Sequence, residues 1–92
     1  MANSVITRLG ATGYTGEFSY NGATGTFSAD ENGNLSRIEG TKPNYGTFDA
    51  QRYNETDFNY NPHFTDQKKA ADLIQTMMGS IEGVKQELNG ED

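Results

Sequence analysis

Cysteine and tryptophan are absent from this chain of 92 residues, and proline occurs only twice. Without cysteine there is no disulfide and no thiolate nucleophile, and this composition fits a reducing compartment. No apolar run approaches the length that crosses a bilayer, and the N-terminus lacks the charged and apolar segments of a secretory signal. These absences predict a soluble, cytoplasmic protein that has no membrane partner.

Basic residues are also scarce, since 7 lysines and arginines stand against 13 acids and the net charge is −6. The segments 1–40, 41–66 and 67–92 each sum to −2, so the sequence shows no single acidic block. Such a charge opposes direct binding to nucleic acid and favours a protein partner with a basic surface. The alternative interpretation of the acidic excess is an ordinary solvated surface.

Motifs for catalysis, metals and nucleotides are missing as well. His63 is the only histidine, and no neighbour in the sequence forms a catalytic pair with it. Asp30 opens an alternation typical of a calcium loop, but Leu35 stands where glycine is needed and Thr41 where the bidentate glutamate belongs. The glycine-rich stretch near the N-terminus has neither P-loop nor dinucleotide spacing. We therefore expect no metal, no cofactor and no enzymatic activity.

What the sequence does contain is a β-hairpin over 14–29. Asn21-Gly22 lies between alternating apolar residues, which is the strongest short-range signal for a two-residue turn of type I′. That turn sets a register in which each large residue faces a small one on the same face of the sheet. The predicted pairs are Tyr20 with Ala23, Phe18 with Gly25, Phe27 with Gly16, and Tyr14 with Ala29.

Further strands are predicted on both sides of the hairpin. Residues 4–9 would place Val5, Thr7 and Leu9 on one face and Ile6 and Arg8 on the other, which predicts a short strand with one face in the core. The turn signal at 30–33 leads into a fourth strand over 34–40. Residues 47–53 suggest a fifth strand. Residues 54–61 are rich in asparagine and are interpreted as a loop.

The fourth strand has an irregular pattern. Leu35 and Ile38 lie three residues apart, so a regular strand cannot place both on one face. A bulge near Ser36 or Arg37 would reconcile them.

A C-terminal amphipathic helix follows. It begins either with Asn61-Pro62 or with Thr65-Asp66, since both pairs supply a capping side chain. Its apolar stripe has helical spacing and comprises Ala70, Leu73, Met77, Ile81, Val84 and Leu88. Gly79 and Gly83 lie within it; we expect the helix to bend or break at Gly79, and the alternative is close approach of the sheet or of a second helix.

The predicted fold class is therefore α+β, in one domain over 1–92. An antiparallel β-meander of four to five strands spans about 4–53, and a helix over about 62–88 packs on its aromatic face.

For function, the chain is predicted to be a small acidic binding module that occupies a partner surface. Polar recognition by tyrosine and acidic side chains points to these candidate partner-binding residues: Tyr45, Asp49, Tyr53, Glu55, Asp57 and Tyr60. In size and charge balance the chain is similar to the stoichiometric inhibitors that phages and mobile elements carry against nucleic-acid-handling host complexes, anti-CRISPR proteins among them. That similarity implies a role in the host cytoplasm. The alternative function is a structural or assembly protein that forms a homodimer or a larger particle.

Overall fold

The computed structural model describes residues 3–8, 13–63 and 66–89. It contains six antiparallel strands followed by one helix. Strands that are consecutive in the chain are neighbours in the sheet, so the topology is a simple meander. The elements are β1 (Asn3–Arg8), β2 (Tyr14–Tyr20), β3 (Ala23–Ala29), β4 (Leu35–Lys42), β5 (Gly46–Arg52), β6 (Phe58–His63) and α1 (Gln67–Leu88). The predicted class, an α+β meander with a helix packed on one face, is confirmed.

The predicted register of the β2–β3 hairpin is confirmed at every pair. Asn21 and Gly22 have φ angles of 51° and 86°, as a type I′ turn requires. The aromatic rings of Phe18 and Phe27 are consequently buried on one face. The opposite face of these two strands bears polar side chains only, so one side of the sheet stays open to solvent.

The predicted bulge in β4 is also present. Ser28 pairs with Arg37 and Ala29 pairs with Leu35, which leaves Ser36 as the extra residue. Leu35 and Ile38 are therefore both buried on the face that the helix covers.

The core lies between this face and α1. Two phenylalanines and two glycines form a row across neighbouring strands, with Phe18 opposite Gly25, Gly25 opposite Gly40, and Gly40 opposite Phe48. The Phe48 ring lies over Gly40, where a Cβ atom would stand 3.0 Å from its Cζ. The ring therefore shields strand backbone that a glycine leaves uncovered.

β6 is one strand more than predicted; its first four residues lie in the predicted loop over 54–61, and Pro62 lies where the helix was predicted to begin. The sequence gives no strand signal there, because asparagine and proline are poor strand formers. The structure compensates by placing Asn59 and Asn61 opposite polar residues of β5, whereas Phe58 is buried under the helix. Pro62 is tolerated because β6 is an edge strand.

Of the two predicted helix starts, the second is observed. Asp66 is the N-cap, and its Oδ1 accepts hydrogen bonds from the backbone N–H groups of Lys68 (2.7 Å) and Lys69 (3.4 Å). Pro62 belongs to β6 instead, so the start at Asn61-Pro62 is wrong.

The predicted bend or break at Gly79 is wrong as well, since α1 runs without interruption from Gln67 to Leu88. The ring of Tyr20 in β2 occupies the space that a Cβ atom at Gly79 would fill. Gly79 therefore serves the close approach of the sheet to the helix, which was the alternative interpretation.

Candidate partner-binding surface

Three segments that are distant in sequence meet at one end of the molecule. They are the β3–β4 turn (30–34), the β5–β6 loop (53–57) and the last two turns of α1 (82–89). Arg52 and Asp30 lie 3.7 Å apart (Nη2 to Oδ2), and Gly33 faces the Leu88 carbonyl. A small cavity of about 80 Å³ opens between the segments and is lined by Gly33, Asn34, Leu35, Arg52, Glu55, Phe58, Lys85 and Asn89.

This end of the molecule is strongly acidic. With Arg52, which precedes the loop, these segments carry six acids and two bases, a net charge of −4 out of the −6 of the whole chain. We call the six acids the acidic pole: Asp30, Glu31, Glu55, Asp57, Glu82 and Glu87. The unpaired carbonyls at the C-terminus of α1 add further negative potential at the same end.

The opposite end has a different charge. The N-terminus of α1 and the end of β4 bring together Lys42, Lys68 and Lys69 with Asp66 and Asp72, a small positive excess. Lys42 is largely buried there, with its Nζ 2.6 Å from Asp72 Oδ1 and 4.5 Å from the centre of the Tyr45 ring. The two ends of the folded molecule therefore differ in charge, although the sequence segments 1–40, 41–66 and 67–92 have equal net charge.

The β5–β6 loop at the acidic pole is held rigid by its own hydrogen bonds. Tyr53 N–H donates to the Asp57 carbonyl (3.1 Å), and Asn54 Oδ1 accepts from the N–H groups of Thr56 and Asp57, both at 2.8 Å. Asn54 Nδ2 donates to the Asp57 carboxylate (3.2 Å). These bonds order the loop backbone that carries Glu55 and Tyr53, which is 60% exposed, and an ordered backbone lowers the entropy cost of binding.

Asp30 organises the β3–β4 turn at the same pole. Its Oδ1 accepts from the backbone N–H groups of Asn32 and Asn34, both at 2.9 Å. The Asn34 N–H is the main cause that holds the pKa of Asp30 below its usual value, and the Asn32 N–H and the Arg52 guanidinium act in the same direction. The carboxylate is thus engaged in the turn. Within the described residues no group of three or more His, Cys, Asp or Glu side chains could hold a metal ion.

Tyr60 lies beside the acidic pole, on the helix side of β6. Its side chain is 36% exposed, and burial is the largest cause that raises its pKa. The negative charges of Asp57 and Glu82 raise it further, because they oppose ionisation of the phenol. The phenol is therefore within electrostatic range of one acid of the loop and one acid of the helix.

Four of the six residues singled out from the sequence are gathered by the fold. Tyr53, Glu55 and Asp57 share the loop, and Tyr60 follows in β6. Tyr45 lies at the other end of β5, about 20 Å away by the length of that strand, and packs against the core. Asp49 lies on the open face of the sheet.

On that open face Asp49 joins a polar network. His63 Nε2 is 3.1 Å from Asp49 Oδ2, and His63 Nδ1 is 2.8 Å from Thr47 Oγ1. Asn61 Nδ2 donates to Asp49 (3.4 Å), and Arg37 Nη1 lies 3.9 Å from the same carboxylate. These contacts join β6 to β5 and, through Asp49, to β4. His63, which has no visible partner in the sequence, has two in the structure.

Sequence reasoning missed four members of the acidic pole: Asp30, Glu31, Glu82 and Glu87. Twenty or more residues separate each of them from the loop at 53–57, and no local pattern connects them. Only the lengths of the strands and the direction of α1 bring these side chains to one end.

Among the described ranges no helix combines the length and the apolarity that crossing a membrane requires. Comparisons of the chain with protein-family models, with curated proteins and with solved structures find no match.

Proposed function

We propose that this protein is a small non-enzymatic binding module that occupies a basic surface of a partner protein with its acidic pole. One observation carries the proposal: a net charge of −4 is concentrated at one end of a molecule whose sequence spreads its charge evenly. Concentrated charge of one sign steers association with an oppositely charged surface and gives it specificity.

The surroundings of the pole support recognition of a protein. Tyr53 and Tyr60 offer exposed aromatic area beside the acids, and tyrosine is a frequent energetic anchor in interfaces. The rigid loop at 53–57 keeps Tyr53 and Glu55 in place before a partner arrives.

The partner class follows from the chemistry of the pole. Surfaces rich in lysine and arginine are those with which proteins hold nucleic-acid phosphates. We infer that the chain competes for such a surface, as a phage or mobile-element inhibitor of a nucleic-acid-handling host complex would, anti-CRISPR proteins included. Its place of action in this proposal is the host cytoplasm.

The test is a matched pair of charge reversals. Glu31→Lys with Glu55→Lys changes the pole, and Glu17→Lys with Glu39→Lys makes the same change of charge on the open face. The tagged proteins are used to capture partners from host lysate, with washes of rising salt, after thermal melts confirm that each variant folds. We expect the pole variant to lose a basic, nucleic-acid-binding partner that the open-face variant and the native protein retain.

Equal capture by both variants, or capture that does not respond to salt, would overturn the proposal. An effect of the open-face variant alone would move the binding surface to the other side of the sheet.

A second candidate function is assembly into a homodimer or larger particle through the sheet edge. The observation that favours it is that β6 is an edge strand. Analytical ultracentrifugation at micromolar concentration is the test, and a strict monomer would contradict this candidate.

A further inference from the structure

Half of the backbone groups of β6 face away from the sheet. Tyr53 N–H donates to the carbonyl of Asp57, which makes these facing residues a hydrogen-bonded pair. Bonded and non-bonded pairs alternate along an antiparallel ladder, so Phe58, Tyr60 and Pro62 occupy non-bonded pairs with β5. Pro62 agrees with this assignment, because proline has no N–H to donate to a neighbouring strand. The N–H groups of Phe58 and Tyr60 and the carbonyls of all three residues therefore point outward.

These outward groups are unpaired in the described part of the chain, where β6 has β5 as its only strand neighbour. Exposed edge strands are usually blocked by lysine, by a bulge or by a covering segment. β6 has the sequence FNYNPH, which contains no lysine, and Pro62 near its end is its one blocking residue. The edge can accept a further strand opposite Phe58 and Tyr60.

In the described residues, acids act on β6 on both faces of the edge, whereas the cations Arg52, which pairs with Phe58, and Lys85 line the cavity beside its first residue. On the open face, Asp49 contacts Asn61 and His63. On the helix face, Glu82 of α1 acts on Tyr60, and Asp57 of the β5–β6 loop acts on the same phenol. The partly exposed ring of Tyr60 can in addition take a lysine or arginine against its face.

We propose that β6 is the docking edge for an extended, basic segment of the partner protein, which adds to the sheet as a seventh strand. This inference rests on the proposed function and specifies how the partner binds. Backbone hydrogen bonds to Phe58 and Tyr60 supply affinity, and side chains that alternate along the added strand supply specificity. Lysine or arginine at every second position places cations beside Tyr60, Asp57 and Glu82.

Complementary charge favours this occupant over a second copy of the chain. Each copy has a net charge of −6 and acids on both faces of its own β6 edge. Pairing two such edges places like charges close together, which opposes association.

The test uses a capped peptide that alternates lysine and threonine. The first matched control is the same peptide with alternate backbone nitrogens methylated, which keeps the charge but removes hydrogen-bond donors. The second is a peptide that alternates glutamate and threonine. Affinity is measured by titration, and amide hydrogen exchange is followed by NMR. We expect the lysine peptide to bind and to slow exchange at the Phe58 and Tyr60 amides, and both controls to bind more weakly.

A pair of variants tests the backbone contact directly. Tyr60→Pro removes the side chain and the outward N–H, whereas Tyr60→Ala removes the side chain alone. We expect Tyr60→Pro to bind the lysine peptide about tenfold more weakly than Tyr60→Ala, because one further hydrogen bond is lost. The exchange pattern of the remaining amides reports whether each variant is folded.

The other outcomes separate this inference from the proposed function. If the methylated peptide binds as well as the unmodified one, strand addition is wrong and electrostatic binding by the acidic pole stands. If neither lysine peptide binds, strand addition is wrong, and the charge-reversal pair at Glu31 and Glu55 alone decides the proposed function.

If protection of the Phe58 and Tyr60 amides rises with protein concentration in the absence of peptide, a second copy is the occupant and the basic segment is excluded. If the peptide protects both amides but the pole variant captures its partner normally, the acidic pole fails while the edge stands.

Discussion

Tyr20 of β2 lies against Gly79 of α1, and its ring fills the volume that any larger residue at position 79 would need. This contact brings the middle of the helix close to the sheet, and it explains a glycine in the interior of an unbroken helix. In an exposed helix the same glycine would cost about 1 kcal/mol relative to alanine. Here the Tyr20 ring opposes the preference for alanine, because the ring must move to admit a Cβ atom.

Gly79→Ala should therefore destabilise the protein by about 1 to 3 kcal/mol, because overpacking outweighs the gain in helix propensity. Ala71→Gly is the control, since this exposed site in the same helix should lose only about 1 kcal/mol by propensity. Urea unfolding measures both. The double variant Gly79→Ala with Tyr20→Ala should lose less free energy of unfolding than the two single variants lose together. A Gly79→Ala variant that is more stable than the native protein would contradict the packing contact.

Lys42 and Asp72 form the ion pair that joins β4 to α1, at a distance of 2.6 Å and with the Lys42 side chain only 12% exposed. Lys42→Met keeps the aliphatic packing but removes the charge, and we expect a loss of about 1 to 3 kcal/mol. A double-mutant cycle with Asp72→Asn measures the coupling. The exposed pair Arg37 and Glu39, at 2.9 Å, is the reference, for which Glu39→Gln should cost less than about 1 kcal/mol. Equal costs at the two sites would show that burial does not strengthen the Lys42 contact.

Glu82→Gln should lower the pKa of Tyr60, because one of the negative charges that oppose its ionisation is removed. The pKa should stay above the usual 10.0, since burial is the largest cause of its rise and Asp57 remains. A raised pKa in the folded state stabilises the protein at lower pH, and that contribution is lost as pH rises through the folded value. NMR titration of the Tyr60 ring is the measurement. Glu87→Gln removes a charge that is not among the causes of the shift, and an equal effect would contradict the placement of Glu82.

Asp30→Asn should lower the free energy of unfolding at neutral pH, and this loss should become smaller in acid. The folded pKa of Asp30 lies below the usual 3.8, so its contribution is complete above that value and is lost as pH falls through the folded pKa. The difference in urea midpoint between the native protein and the variant should therefore shrink as pH falls below about 4. Glu31→Gln removes the neighbouring charge and leaves the hydrogen bonds of the turn intact. A difference between native and Asp30→Asn that does not vary with pH would contradict this role of the carboxylate.

Much of the sheet was predictable because its signals are local. Asn21 and Gly22 specify their turn, and one turn sets the whole β2–β3 register, since side chains alternate strictly along a strand. The three-residue spacing of Leu35 and Ile38 likewise required a bulge. β6 was not predictable, because Asn59, Asn61 and Pro62 are poor strand formers and only pairing with β5 makes them a strand.

Local patterns specify the hairpin, the bulge and the amphipathic stripe of α1, since each depends on neighbours within a turn of helix or a pair of strands, and composition alone gives the excess of acids. The tertiary structure decided which charges stand together. Asp30, Glu55 and Glu82 are far apart in the chain, and they meet because each strand reversal and the return of α1 bring them to the same end. The tertiary structure also decided that Gly79 faces Tyr20 and that β6 is an edge, because both depend on packing between elements that lie far apart in the chain.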